Sequence, residues 1–160
     1  MSIEIAIRQA TRSDAATIAD FNSQMALETE QRKLEPERVR AGVDALLADP
    51  AKGSYYLAET PNRTQAIAGQ LLITYEWSDW RNGNFWWIQS VYVAKEFRGN
   101  GIFRALFEHV ETLAKERDAV CGLRLYVDAH NDGARKTYER LRMTRTNYEL
   151  FEIDFVLAHT

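Results

Sequence analysis

A single cysteine, Cys121, stands among the 160 residues, so the chain can form no internal disulfide and no multi-cysteine zinc site. That scarcity fits a reducing compartment. Three prolines and eight glycines exclude collagen-like and low-complexity readings. No apolar run approaches the roughly 18–20 residues that span a bilayer, and Met1-Ser2-Ile3-Glu4-Ile5 lacks the basic opening and apolar middle of a signal peptide. Positive charge is not in excess either, with 20 Lys and Arg against 23 Asp and Glu and a formal net charge of −3. No basic cluster is longer than a few residues, which argues against nucleic-acid and polybasic membrane partners. The three histidines, His109, His130 and His159, share no ligand spacing, so no metal is expected and surface positions are. Cys121 has no His and Asp set at recognisable spacing and reads as a buried structural thiol. What is present is 46% hydrophobic and 27% charged, the make-up of an ordinary globular chain. The expectation is one soluble, cytoplasmic domain over residues 1–160.

Periodicity sets the elements. Ile3, Ile5 and Ile7 alternate with polar neighbours as in a half-buried strand. Thr11 and Asp14 stand at capping-box spacing before a helix expected to run to about Lys33. Pro36 opens a second helix, with Val39, Val43, Leu46 and Leu47 on one face and Pro50 past its end. Strands over Ser54–Thr60 and Ala66–Trp77 flank the turn Pro61-Asn62-Arg63. Phe85–Val93 is almost continuously apolar, as a central strand would be. A helix follows Gly99 and Gly101, with Phe103, Leu106, Phe107, Val110 and Ala114 on one face. A short strand is expected over Leu123–Val127, a helix over Asn131–Leu141 and a final strand over Tyr148–Leu157. The order β-αα-βββ-α-β-α-β describes an α/β (α+β) fold, a mixed central sheet with helices on both faces.

Two stretches carry chemistry. Arg98-Gly99-Asn100-Gly101-Ile102-Phe103 joins the central strand to an amphipathic helix. Helix-start amides lack intrahelical partners and sit at the positive end of the dipole, so a glycine turn there suits a pyrophosphate. Arg98 adds a fixed positive charge. No Lys-Ser/Thr follows Gly101, as a P-loop needs, and Arg104 takes the third glycine of a dinucleotide fingerprint. Taken alone, a Gly-x-Gly is more often a plain turn. In the second stretch Asn131 and Tyr138 lie seven residues apart on one helix face, about 10 Å along the axis, with the small Ala134 between them. Each alone reads as an N-cap and a core aromatic.

Together these residues resemble the GNAT superfamily of acyl-CoA-dependent N-acyltransferases. The family pattern Arg-x-x-Gly-x-Gly/Ala falls on Arg98 to Phe103, with Phe103 in place of the last small residue. The family's Asn-x6-Tyr-x-x-Leu-Gly-Phe block falls on Asn131, Tyr138 and Leu141, with Arg142-Met143 replacing Gly-Phe. The resemblance implies acetyl-CoA as co-substrate. Main-chain groups of Val91 and Val93 would hold its pantetheine, Arg98, Gly99, Asn100, Gly101, Ile102 and Phe103 its pyrophosphate, and Asn131 its arm. Tyr138 would stand near the thioester sulfur.

Attack of an amine on a thioester needs a neutral amine, and deprotonating an aliphatic one at pH 7 costs about 4–5 kcal/mol. A carboxylate is the expected acceptor, directly or through water. A backbone amide near Val91 suits the oxyanion, and Tyr138 suits proton donation to the thiolate. Members resembling diamine acetyltransferases carry Glu where this chain has Gln89, which cannot take a proton. Glu28 and Glu76 are the candidate bases; the resemblance implies that their regions, with Glu30, Trp77, Asp79 and Trp80, border the acceptor pocket, and carboxylates beside indoles suit a cationic amine. Solvated helix charges and a structural Trp-rich loop are the plain alternatives. The expected function is transfer of acetyl to a small primary amine. A non-catalytic acyl-CoA-binding module and a protein N-acetyltransferase remain open, as does a homodimer.

Overall fold

The computed structural model describes residues 2–62 and 67–157. Two units are resolved, Met1–Leu125 and Tyr126–Thr160. In the first, the alternating isoleucines lead into β1 (Ala6–Gln9), followed by α1 (Ala15–Glu30) and α2 (Pro36–Ala48). Then come β2 (Ser54–Glu59), β3 (Ile67–Ser78), β4 (Gly83–Val93), α3 (Ile102–Lys115) and β5 (Val120–Arg124). Asp14 fastens the start of α1. Its carboxylate accepts the Thr11 amide at 2.7 Å and two Arg8 guanidinium bonds at 2.8 and 2.9 Å, while Arg8 Nε reaches Glu59 at 2.6 Å. The sheet order is β1-β2-β3-β4-β5, antiparallel except for the parallel β4–β5 pair.

Strand alternation sends successive side chains to opposite faces. Tyr55, Leu57 and Leu72 therefore meet Ala15 and Ile18 of α1 and Val43 of α2 in one core. Tyr56, between Tyr55 and Leu57, points the other way, and its ring lies 5.5 Å from that of His109 on α3. Helices thus cover both faces. Ile102, Leu106, Phe107, Val110 and Ala114 are buried along α3, so its apolar face begins at Ile102, with Phe103 only half-buried. His109, expected at the surface, is instead half-buried against Tyr56.

Several boundaries differ from the sequence expectation. α1 stops at Glu30 rather than Lys33 because Gln31 takes a left-handed conformation, φ +52°, which no helix continues. β5 begins at Val120 and ends at Arg124, where Leu123–Val127 was expected. Its pairing is set upstream, where the Asn84 amide donates to Ala119 O at 2.8 Å and Asn84 faces Val120. Cys121 is half-buried rather than buried. Arg63 of the expected turn, Ala66 of the expected strand and His159 lie outside the described residues.

In the second unit, α4 (Asp132–Arg140) starts where Asn131 Oδ1 accepts the Ala134 amide at 3.0 Å. It ends on Arg142, φ +68°, so arginine holds the left-handed exit position that the family block gives to glycine. No strand follows among the described residues, and the expected one over Tyr148–Leu157 is not formed. Its apolar residues fall at both odd and even positions, so both faces need cover. At its end Asp154 bends the chain by accepting the Val156 and Leu157 amides at 2.7 and 2.8 Å.

Candidate active site

Near its C-terminal end β4 parts from β5 and bulges against β3. Its pairing with β5 ends at Trp87↔Arg124, six residues before Val93. Against β3 the register slips between Gln70 and Leu72, so Ser90 and Val91 together oppose Leu71. Such a bulge bends a strand and turns its main chain. Ser90 carries the strain, with φ +48°. Beyond the bulge Ala94 N–H bonds Ala68 O at 2.9 Å, so by antiparallel alternation the Val93 carbonyl faces away from β3. There it accepts Arg98 Nε at 2.9 Å. Of the two main-chain positions expected to hold pantetheine, Val93 thus presents its carbonyl away from the ladder and Val91 lies in the bulge itself.

The glycine turn follows. Buried Phe97 anchors its near side. Asn100 Nδ2 donates to the Phe97 and Arg98 carbonyls at 3.0 and 3.1 Å. Gly99 and Gly101 both lie in the left-handed region, at φ +78° and +77°, where glycine alone is free of strain. No atom lies within 4 Å of where a Cβ would stand on either, among the described residues. Backbone conformation, not crowding, therefore requires glycine here, and the space beside the turn is open. Gly101 supplies no capping side chain to α3. Gly69 does the reverse job: a Cβ there would lie 2.8 Å from Tyr92 O and 3.0 Å from Ile102 Cγ2, so its absence lets the first residue of α3 sit against β3 and β4. An open, glycine-shaped helix start beside an arginine fits an anionic diphosphate.

Two expected site residues meet directly. Arg98 NH2 donates to Glu28 Oε2 at 2.7 Å, and Lys95 Nζ lies 3.6 Å from Oε1. Tyr92, a strand residue that sequence reading passed over, donates its hydroxyl to Gln24 Oε1 at 2.8 Å and Glu28 Oε1 at 3.1 Å, with Arg98 over its ring. The Arg98 bond, then the Tyr92 bond and the nearby Lys95 charge, hold the Glu28 carboxyl below the usual range. Glu28 raises Arg98 in return. Burial, reinforced by Glu28, pushes the Tyr92 phenol up. Glu28 therefore stays ionised as the counter-ion of Arg98, a weaker proton acceptor than a free carboxylate.

The other expected carboxylates do not join this cluster. Glu76 accepts Arg124 NH1 at 2.6 Å, and that guanidinium lies 3.6 Å from the centre of the Phe85 ring. Asp79 caps its own turn by accepting the Trp80 amide at 3.0 Å. Glu30 lies 3.9 Å from Arg32. Trp77 and Trp80 are exposed. Gln89, in the position given to Glu in the diamine enzymes, donates to Thr74 Oγ1 at 2.6 Å.

A second missed group supports the bulge. Fully buried Gln70 donates from Nε2 to Ser90 O at 3.1 Å and to Asn22 Oδ1 at 2.7 Å, and Asn22 in turn reaches Tyr55 OH at 3.1 Å. The only sequence signal for it was a glutamine inside an otherwise apolar strand.

In the second unit Asn131 serves as the N-cap. Arg135 folds back on Ala129 O at 3.2 Å and Asp132 at 3.3 Å. Tyr138 is half-buried, and burial raises its hydroxyl above the ordinary tyrosine value, keeping it a proton donor to higher pH.

Among the described residues no group of three His, Cys, Asp or Glu side chains is placed to hold a metal ion. No described helix is long and apolar enough to cross a membrane.

Comparison with known proteins gives a consistent picture. The model of the acetyltransferase (GNAT) family matches residues 17–142, across the junction of the two units. A possible acetyltransferase from Clostridium difficile 630 is 43% identical at a TM-score of 0.87, over 96% of this chain and 99% of that one. A predicted acetyltransferase from Clostridium acetobutylicum, solved with acetyl-CoA, is 18% identical at a TM-score of 0.75, over 94% and 96% of the two chains. The ribosomal-protein-alanine N-acetyltransferase of Brucella melitensis biovar Abortus 2308 is 20% identical at a TM-score of 0.74, over 96% and 100%. The last two likenesses are of fold. A search of curated proteins finds no match.

Proposed function

We propose, from the premise that this chain belongs to the GNAT acetyltransferase family, that it moves an acetyl group from acetyl-CoA directly to a primary amine of a small molecule. The observation that carries the reading is the paired left-handed glycines, with open space beside them, where β4 has parted from β5 and α3 begins. In this reading the amides of the turn and first helical residues take the diphosphate and Arg98 adds its charge. The Val93 carbonyl and the bulge at Val91 serve the pantetheine amides. The strained main chain at Ser90-Val91 offers an amide to the developing oxyanion.

Proton traffic follows from the charges. Glu28 and Glu76 each hold an arginine, so we assign the amine's proton to water next to one of these carboxylates rather than to direct capture. Glu30, Asp79, Trp77 and Trp80 would set the acceptor's charge and shape. Tyr138, kept protonated by burial, gives the leaving thiolate a hydrogen bond. Asn131 would meet the pantetheine arm through the side-chain amide that its capping oxygen leaves over.

A second reading, acetylation of a protein's amine, draws support from the exposure of Trp77 and Trp80, which leaves that face accessible to a large acceptor. Thiol release from acetyl-CoA over a panel of diamines, aminoglycoside-like amines and peptide N-termini separates the two. Tyr138→Phe should lower kcat by about 10²-fold or more, in the range of a lost acid catalyst, and leave the Kd of CoA within about threefold. Full activity in that variant removes Tyr138 from the chemistry. Tight CoA binding with no turnover on any amine refutes the enzyme reading.

A further inference from the structure

Gln70 stands on β3 where a core would take leucine. It is fully buried, yet its Oε1 meets no partner among the described residues. A buried acceptor left unpaired lowers stability, so packing alone does not account for the side chain. Its amide is nonetheless held in one orientation. Ser90 O can only accept, so the 3.1 Å bond requires Nε2 at that end, and the same nitrogen donates to Asn22 Oδ1 at 2.7 Å. Asn22 Nδ2 donates in turn to Tyr55 OH at 3.1 Å, and that hydroxyl is also hydrogen-bonded by the Ser90 side chain. Side chains from α1, β2 and β3 thus grip one residue of β4 by its carbonyl and its hydroxyl.

Ser90 is the residue that needs gripping. Its φ of +48° lies in the left-handed region, where a side chain other than glycine is strained. Such a conformation persists only where the surroundings over-determine it. The link to chemistry is the peptide plane. Among the described residues no peptide bond departs from trans, so the Ser90 carbonyl and the Val91 N–H point in opposite directions across one rigid unit. Whatever fixes the carbonyl aims the amide.

We propose that Gln70 is a positioning residue: its bond to the Ser90 carbonyl, braced by Asn22 and Tyr55, holds Ser90 left-handed and so aims the Val91 amide at the oxyanion. The inference rests on the proposed function, which gives that stretch of main chain to the oxyanion. Every residue in it lies within Met1–Leu125.

Infrared difference spectra of bound acetyl-CoA carrying ¹³C at the acetyl carbonyl read the aim without any acceptor amine. A hydrogen bond to that carbonyl lowers its stretching frequency. Gln70→Met keeps the length and apolar volume of the side chain and removes its donors. The carbonyl should then absorb at a higher frequency than in wild type, with the Kd of acetyl-CoA within about threefold. On the most active amine of the panel, kcat should fall about 10- to 100-fold at a nearly constant KM for acetyl-CoA, since a misaimed donor loses most of its worth in the transition state.

A rescue separates aiming from plain support. Glycine carries no penalty at positive φ, so adding Ser90→Gly to Gln70→Met should restore kcat at least about fivefold and return the carbonyl toward its wild-type frequency. Failure of the rescue overturns the holding of Ser90. Should Gln70→Met not fold, Asn22→Ala, at the half-buried end of the chain of bonds, decides by the same rise in frequency. A variant that binds acetyl-CoA with wild-type frequency and kcat makes Gln70 a structural group only and leaves the proposed function standing. No binding of acetyl-CoA by wild type refutes the proposed function itself, and the positioning role with it.

Discussion

Replacing Gly101 with alanine separates backbone strain from crowding. Among the described residues nothing beyond the turn's own chain neighbours lies within 4 Å of the new methyl group, so no contact is made or broken. What changes is the cost of φ +77°, about 1–2 kcal/mol for a residue with a Cβ. For a chain of this size about 1 kcal/mol moves Tm by roughly 2–4 °C, so Gly101→Ala should melt about 2–8 °C below wild type. Where the turn instead relaxes toward negative φ, its amides leave the ligand, and the same 1–2 kcal/mol appears not in Tm but as about 5- to 30-fold weaker CoA binding. Calorimetric melting with and without CoA measures both, since a ligand bound to the native state raises Tm by mass action. A variant that melts within 1 °C of wild type and binds CoA equally well refutes both the strain and its use.

Gly69→Ala fails for the opposite reason. Its φ needs no glycine, but the methyl group would stand 2.8 Å from Tyr92 O, so we expect a loss of about 1–3 kcal/mol, read by urea unfolding. Glu28→Gln frees Arg98 from a partly exposed ion pair worth about 0.2–1 kcal/mol. CoA should then bind up to about fivefold more tightly by titration calorimetry, and unchanged or weaker binding contradicts the sharing of Arg98. Asp14→Asn should cost about 2–4 kcal/mol at neutral pH by leaving Arg8 half-paired. Arg8 holds the Asp14 carboxyl below its ordinary 3.8, so the wild-type advantage is present above pH 3.8 and is lost as pH falls through the lower native value. Unfolding curves for the two proteins should therefore converge in acid; a constant gap contradicts the assignment.

Local signals made much of this legible. Three-residue and four-residue spacings placed α1 to α3 because an amphipathic helix announces its period within a turn or two. The glycine turn was readable because only glycine tolerates positive φ cheaply. Ser90 takes the same kind of conformation, φ +48°, with no residue type to betray it. The Glu28–Arg98 pair joins positions 70 apart, and the Gln70–Asn22 bond positions 48 apart. Nothing at either end of such a pair names the other, since both depend on how α1 lies across β3 and β4. The family resemblance also made Glu28 a candidate base without revealing the guanidinium that claims it.

The most direct measurement follows the backbone amides of ¹⁵N-labelled protein as CoA is added, with pantetheine, which lacks the diphosphate, as the control. The account predicts that the amides of Gly99 to Arg104 move markedly with CoA and stay nearly still with pantetheine. Equal movement with both ligands, or shifts that bypass this turn, would contradict it.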